Sequence, residues 1–293
     1  MNKTVKLNDS VYHIYESNGT YCTLVIGSER ALLIDTGYGC SDLSRTVSSL
    51  TDRPVVVANT HGHFDHTQMN CFFPATYIHK DDAKLLKKNV NAAYKYGFYV
   101  LYLSKAPREA RRQFRKTVAL KPPKPSFIKD GDAIDLGDTT ITVIESPGHT
   151  KGSVCFLDEK NRFVYCGDSV SNHVWICLKE SLRLPVYLGS LERLRTLIDD
   201  SYRIVASHSD VPLNYAVLPR LIDCVKRVDV GKSTRYIHPY CKKSYLYCEG
   251  LEALREKYGV SSFEEMIKKL DTIDKDVFRN GEFVSIVFRL DKR

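Results

Sequence analysis

The stretch His61-Gly62-His63-Phe64-Asp65-His66 follows, after Asn59-Thr60, on the apolar run Val55-Val56-Val57-Ala58. It packs three imidazoles and one carboxylate into six residues. Those are the ligand types that borderline and harder divalent metals take. Spaced this tightly, they cannot all share one face of a regular helix or strand. A short loop leaving a buried strand lets them converge on one point, or on two neighbouring points. The plain alternative is a polar, histidine-rich surface loop.

The same arrangement recurs along the chain. Ala31-Leu32-Leu33-Ile34 reads as a strand running into Asp35-Thr36-Gly37. A carboxylate there is either functional or a turn residue or cap. Thr140-Ile141-Thr142-Val143-Ile144 leads to Ser146-Pro147-Gly148-His149, Phe163-Val164-Tyr165-Cys166 to Gly167-Asp168, and Arg203-Ile204-Val205-Ala206 to Ser207-His208. Taken alone, each of these side chains would be weak evidence. With the opening stretch, His149, Asp168 and His208 make seven candidate ligands, enough for two three-residue sets sharing one bridging carboxylate. His13, His79 and His238 lack such a setting and read as structural or exposed.

The rest of the chain reads as an ordinary folded protein. Its 293 residues suffice for one large domain or two modest ones, and 43% apolar with 27% charged residues is typical of globular chains. Residues Met1 to Leu7 have no apolar core of a secretory signal, and no apolar run approaches the ~18 residues needed to span a bilayer. Nine cysteines, odd in number and without CxxC pairs, argue for reduced thiols and a cytoplasmic location rather than a disulfide framework. The net charge of +8 is concentrated between Ser104 and Lys129, where nine basic residues face Glu109 alone. Arg108, Arg111, Arg112 and Arg115 recur at helical spacing. They form either a solvated helix face or a cap that attracts an anionic substrate or a phosphate backbone.

Other elements follow from local pattern. Ser10 to Tyr15 and Tyr21 to Gly27 read as a hairpin turned by Asn18-Gly19. Helices are expected at 41–50 and 80–89, and a helical, aromatic and basic insertion at about 91–129, closed by Lys121-Pro122-Pro123-Lys124-Pro125. Hairpins are expected around Gly137-Asp138 and Glu159-Lys160-Asn161. A helix is expected to begin near Leu188 with Ser190 as a cap. The tail reads as helices at 250–259 and 262–269 and a strand at 283–288.

The ordered motifs THGHFDH, SPGHTKGS, CGDS and ASHS resemble the metallo-β-lactamase fold superfamily over about Val11 to Val211. The resemblance implies an α+β four-layer αββα sandwich, and the alternating strands and helices agree with it. A catalytic domain is expected at 1–220; the insertion it carries and the segment 221–293, expected as an accessory extension packing on the core, depart from the family pattern. By position the resemblance assigns His61, His63 and His149 to one metal ion, Asp65, His66 and His208 to a second, and Asp168 to the bridge. Asp35 matches an aspartate that orients ligands by hydrogen bonding. The last motif departs from the usual His-Gly, since Ser209-Asp210 follows His208.

Two divalent ions, most readily zinc, with iron or manganese as alternatives, would supply a bridging hydroxide, with Asp65 holding it in its attacking orientation and Asp168 holding the pair. The expected enzyme is thus a metal-dependent hydrolase. A carboxylate at position 168 argues against a typical β-lactamase. Tyr187 to Leu194, YLGSLERL, resembles glyoxalase II-like and lactonase-like members. The expected substrate is therefore a small thioester, lactone or other ester, anionic if the basic segment caps the site. Asn172, His173 and Trp175 are candidates to line the pocket. A phosphodiesterase or nuclease acting on nucleic acid is the first alternative, and a catalytically inactive metal-bound ligand sensor the second. No membrane partner is expected.

Overall fold

The computed structural model describes residues 2–238 and 241–293, without the side chains of His238, Lys242 and Asp271. Two compact units emerge. The first comprises Met1–Glu145, Gly152–Gly167 and Ser207–Asp210; the second comprises Ser146–Lys151, Asp168–Ala206 and Val211–Arg293.

In the first unit a seven-stranded sheet runs Thr4–Lys6, Val11–Ser17, Thr20–Ile26, Ala31–Ile34, Val55–Ala58, Thr76–His79 and Ser126–Ile128, in that order. The expected hairpin is present. Asn18 and Gly19 turn it with φ of 48° and 76°, the left-handed pair that a two-residue turn requires. Antiparallel pairing then gives way to parallel. Ala31–Ile34 lies beside Val55–Ala58 in the register Ala31 with Val55 through Ile34 with Ala58. The crossover carries the helix Leu43–Leu50, whose Asp42 cap accepts from the Arg45 amide. Every residue of Ala31–Ile34 is buried, as expected of a strand covered on both faces. That register has a direct consequence: Asp35 and the histidine stretch leave the sheet at the same edge.

Four strands of this unit, Ala133–Asp135, Thr140–Glu145, Val154–Asp158 and Phe163–Gly167, make an antiparallel meander. Its hairpins turn at the two places expected, with Gly137 at φ 102° and Arg162 at φ 55°. The aromatic and basic region forms the helices Ala92–Phe98 and Arg108–Ala119, joined by a π-turn at Tyr99–Leu103. Leu103 and Phe114 bury themselves against Cys40 and Phe64, with Tyr38, Phe98 and Tyr99 around them. The proline segment then delivers Ser126–Ile128 to the sheet, where it pairs with Thr76–His79.

The second unit holds a four-stranded sheet ordered His173–Ile176, Val284–Phe288, Cys241–Glu249 and Thr234–His238. A core of Leu246, Phe263, Met266, Phe283 and Val287, among others, packs on it. The tail helices fall at Leu251–Tyr258 and Phe263–Lys268, and the closing strand at Val284–Phe288, close to the expected bounds. One expectation is corrected. The helix expected from Leu188 spans Leu184–Leu197, and Ser190 is internal, not a cap. Pro185 sits in its first turn, where the missing amide costs nothing and the fixed φ helps. Ser190 Oγ donates instead to the carbonyls of Pro147 and Val186.

Among the described residues, no helix is long and apolar enough to cross a membrane. All nine cysteines are free thiols, seven of them buried. Burial pushes the Cys40 thiol up to about 12, and the nearby Glu16 carboxylate adds to the effect.

Candidate metal centre

Asp35 organises the edge where the two parallel strands end. Its φ of 62° is rare for a residue with a side chain, and the carboxylate is fully buried. The Asp35 Oδ1 accepts from the Thr60 amide at 2.8 Å. Its Oδ2 accepts from Thr60 Oγ1 at 2.7 Å, His66 Nδ1 at 2.8 Å and Ser207 Oγ at 3.3 Å. These contacts fix ring orientation. Thr60 gives its single proton to the carboxylate, so at 3.0 Å it accepts from His61 Nδ1–H. His66 likewise carries its proton on Nδ1. The orienting role that the resemblance implied for Asp35 thus has a concrete set of bonds.

The histidine stretch itself begins with the buried Asn59, which donates to the His66 carbonyl at 2.9 Å and closes the loop on itself. His61 Nε2 lies 2.9 Å from His63 Nδ1, a separation suited to a shared proton or to a cation held by both. Donor atoms of Asp65, His66 and His208 all lie within 4.8 Å of one another. In particular, Asp65 Oδ2 is 3.4 Å from His208 Nε2 and 3.6 Å from His66 Nε2. His208 is placed by the hairpin turn, since its Nδ1 donates to the Gly19 carbonyl at 3.2 Å. His208 is the exposed member, whereas His61 and His66 are buried.

The second unit carries His149 and Asp168, with His149 Nε2 3.4 Å from Asp168 Oδ2. His149 Nδ1 donates to the Trp175 carbonyl at 2.7 Å. Tyr187 secures both segments. Its ring fills the space where a Cβ on Gly148 would stand, and its hydroxyl donates to the Ser169 carbonyl at 2.7 Å. Ser181 Oγ donates to the His149 carbonyl at 2.9 Å.

Four imidazoles, His61, His66, His149 and His208, therefore tie Nδ1–H to an oxygen and turn Nε2 toward another candidate ligand of their own unit: His61 toward His63, His66 and His208 toward Asp65, and His149 toward Asp168. Metal-binding histidines are held in this way, because the outer hydrogen bond fixes the tautomer and raises the basicity of the donor nitrogen. Buried imidazoles and carboxylates brought this close are costly unless a cation offsets their desolvation. The donor chemistry fits a divalent metal ion of borderline character.

Of the other residues singled out in the sequence, Asn172 donates to the carbonyls of Phe278 and Phe283. Trp175 Nε1 donates to His173 Nε2 at 2.7 Å, and His173 Nδ1 then donates to Ser285 Oγ at 2.8 Å. His13 and His79 are internal partners of Ser209 and Glu145. The side chain of His238 lies outside the described residues. Sequence reasoning passed over Asp82, which falls within the helix expected at 80–89. It is buried and accepts from the amides of Gly62 at 2.8 Å and Gly152 at 2.9 Å. Only the fold brings those two glycines together, so no local signal marks the residue.

The sequence profile of the metallo-beta-lactamase superfamily matches residues 17–68 and 75–208. The chain is 33% identical over 217 residues to the human acyl-coenzyme A thioesterase MBLAC2, covering 66% of this chain and 75% of that protein. It is 24% identical to the probable polyketide biosynthesis zinc-dependent hydrolase PksB of Bacillus subtilis (strain 168), covering 71% of this chain and 81% of PksB. Among solved structures, a metallo-beta-lactamase from Pontibacter korlensis superposes with a TM-score of 0.57 at 16% identity, over 78% of this chain and all of its own, and supports the fold alone. The αββα sandwich expected from the sequence is the fold of these neighbours. The chain belongs to the metallo-beta-lactamase superfamily and is a metal-dependent hydrolase.

Proposed function

We propose that the enzyme hydrolyses a thioester at a two-ion centre. In this reading His61, His63 and His149 would hold one ion and Asp65, His66 and His208 the other, with Asp168 available to both. The observation that carries it is that four separately anchored histidines each turn Nε2 to another candidate ligand, three of them to Asp65 or Asp168. Covalent connection supports joining the two groups of ligands. His149 stands in a segment flanked on both sides by the first unit, at Glu145 and Gly152, and Asp168 follows Gly167 directly. The choice of a thioester is supported by the human relative's description as an acyl-coenzyme A thioesterase. Zinc is supported by the description of the bacillary relative.

Bound divalent ions supply Lewis acidity and lower the pKa of water toward neutrality. The chain's own residues do the rest. Asp65, partly exposed beside the exposed His208, accepts a hydrogen bond from the entering water and fixes its direction of approach. Asp35 and Thr60 keep His61 and His66 from turning, so no reorganisation is needed as charge develops. Water adds to the thioester carbonyl, the C–S bond breaks, and the sulfur leaves with a proton as a thiol beside the carboxylic acid. No serine or cysteine nucleophile is required.

The test is a panel of an acyl-coenzyme A, a lactone and bis-nitrophenyl phosphate, with metal analysis of protein purified without chelator. The expected result is close to two ions per chain and preferential thioester cleavage that is lost on chelation and restored by zinc. Cleavage of the phosphodiester in preference to the thioester would overturn the substrate assignment in favour of a phosphodiesterase.

A further inference from the structure

The helix Ala83–Asn89 is fastened to the metal loop at both ends. At its start Asp82 Oδ2 accepts from the Gly62 amide, and at its end Asn89 Nδ2 donates to the Gly62 carbonyl, each at 2.8 Å. Gly62 stands between His61 and His63, and a Cβ there would lie only 3.0 Å from the Asp82 carbonyl and 3.1 Å from the Leu86 amide nitrogen. The helix thus lies directly on the backbone of the ligand loop. It buries Leu86 and Asn89 and exposes Lys84, Lys87 and Lys88 at i, i+3 and i+4.

Those three lysines, with Asn91 and Tyr94, line an open cavity of about 530 Å³. No carboxylate is among its lining residues, and among the described residues none of the three lysines forms an ion pair. Lys88 Nζ stands 5.2 Å from the centre of the Tyr94 ring. Tyr94 also packs at a tilt against Phe64, with centroids 5.9 Å apart, and Phe64 lies between His63 and Asp65 in the chain. The cavity is therefore two rings removed from residues of the metal loop. Asn91 Oδ1 is engaged by the amides of Ala93 and Tyr94, which leaves its Nδ2 as the donor.

Three ammonium groups, an amide donor and one aromatic face form a receptor for a polyphosphorylated nucleotide. Ammonium groups attract phosphates, and a ring face takes a base by stacking. We propose that Lys84, Lys87, Lys88 and Tyr94 bind the nucleotide end of a coenzyme A thiol leaving group. The diphosphate and 3′-phosphate meet the lysines, the adenine lies on Tyr94, and the pantetheine arm runs past Phe64 to the metal loop. This subsite rests on the thioester reading above, and it defines the substrate as a coenzyme A thioester. It also explains why the basic character of the chain begins before the arginine-rich helix, on an element locked to the ligands.

The experiment compares the wild type with Lys84→Ala/Lys87→Ala/Lys88→Ala and with Tyr94→Ala. Binding of adenosine 3′,5′-bisphosphate is measured by calorimetry at low and high salt, with adenosine as the uncharged control. Hydrolysis of an acyl-coenzyme A is measured beside hydrolysis of the same acyl group on pantetheine, which lacks the nucleotide. The expected result is salt-sensitive bisphosphate binding weakened about tenfold or more in the triple variant. KM should rise by a similar factor for acyl-coenzyme A only, with kcat nearly unchanged. The lysines lie on a solvent face, so folding of the variant is checked by its unfolding temperature. Equal bisphosphate binding by wild type and variant would overturn the subsite, as would the same KM for both thioesters, and either leaves the hydrolase assignment standing. Lysine-dependent bisphosphate binding without cleavage of any thioester would overturn the leaving-group assignment along with the thioester reading. Preference for single-stranded RNA over the bisphosphate at the same lysines would replace it with a polynucleotide site.

Discussion

Asp35 holds its unusual backbone conformation because four donors converge on its carboxylate, and two of them orient His61 and His66. An amide in its place keeps one acceptor oxygen and loses the other. Asp35→Asn is expected to fold and to weaken metal affinity by about 10–100-fold, the usual consequence of losing the partner that orients a ligand; competition titration against a chromogenic chelator measures it. A second residue sets a pH dependence. His13 is buried, stacked on Tyr21, and donates from Nε2 to the Ser209 carbonyl at 2.9 Å. Burial pushes its pKa down from 6.5 to about 4, against the raising effect of the Ser209 contact. The folded state therefore binds fewer protons than the unfolded chain between those values. Its contribution to stability is complete above pH 6.5 and is lost as pH falls toward 4, amounting to about 3 kcal/mol. Urea unfolding across that window is expected to show this slope, and His13→Gln to flatten it. The candidate ligands stood out in the sequence because each follows an apolar strand. Asp82 was not legible, because its two partners, Gly62 and Gly152, meet it only in the folded chain.

At the scale of elements, local chemistry was readable where it decides the conformation. Asn18-Gly19 specified its hairpin, and the apolar runs specified the strands that end at Ile34, Ala58 and Ala206. The strand His173–Ile176 was not readable, since four residues gain their conformation from a parallel partner, Val284–Phe288, about a hundred positions away. The helix start at Leu184 was missed because Ser190 resembles a cap, while the true first turn is marked by Pro185. The contact between Ala83–Asn89 and the ligand loop yields a prediction at this scale. Gly62→Ala places a methyl against backbone atoms at 3.0 and 3.1 Å that cannot swing aside. The expected cost is about 1–3 kcal/mol of stability with weakened metal binding, read by denaturant unfolding and metal titration.

At the scale of the molecule, the superfamily was legible from motif order, whereas the division of the candidate ligands between two units was not. His61, His63, Asp65, His66 and His208 belong to one compact unit, and His149 and Asp168 to the other. A proposed centre that draws on both couples their stabilities through the metal. Thermal unfolding is expected to be a single transition in zinc and to fall in temperature and broaden or split after chelation, as ligand linkage requires; differential scanning calorimetry with and without chelator distinguishes these outcomes. In the proposed two-ion centre the exposed His208, held by the carbonyl at the tip of a surface hairpin, would give the two ions different lifetimes. An ion held by His208 would sit where solvent and competing chelators arrive first, and would exchange ahead of one held by the buried histidines. Chelator-driven release followed by stopped flow should be biphasic, and changes at Asn18-Gly19 should alter the fast phase alone. A turn between the second and third strands of the sheet would then set how long the enzyme remains loaded.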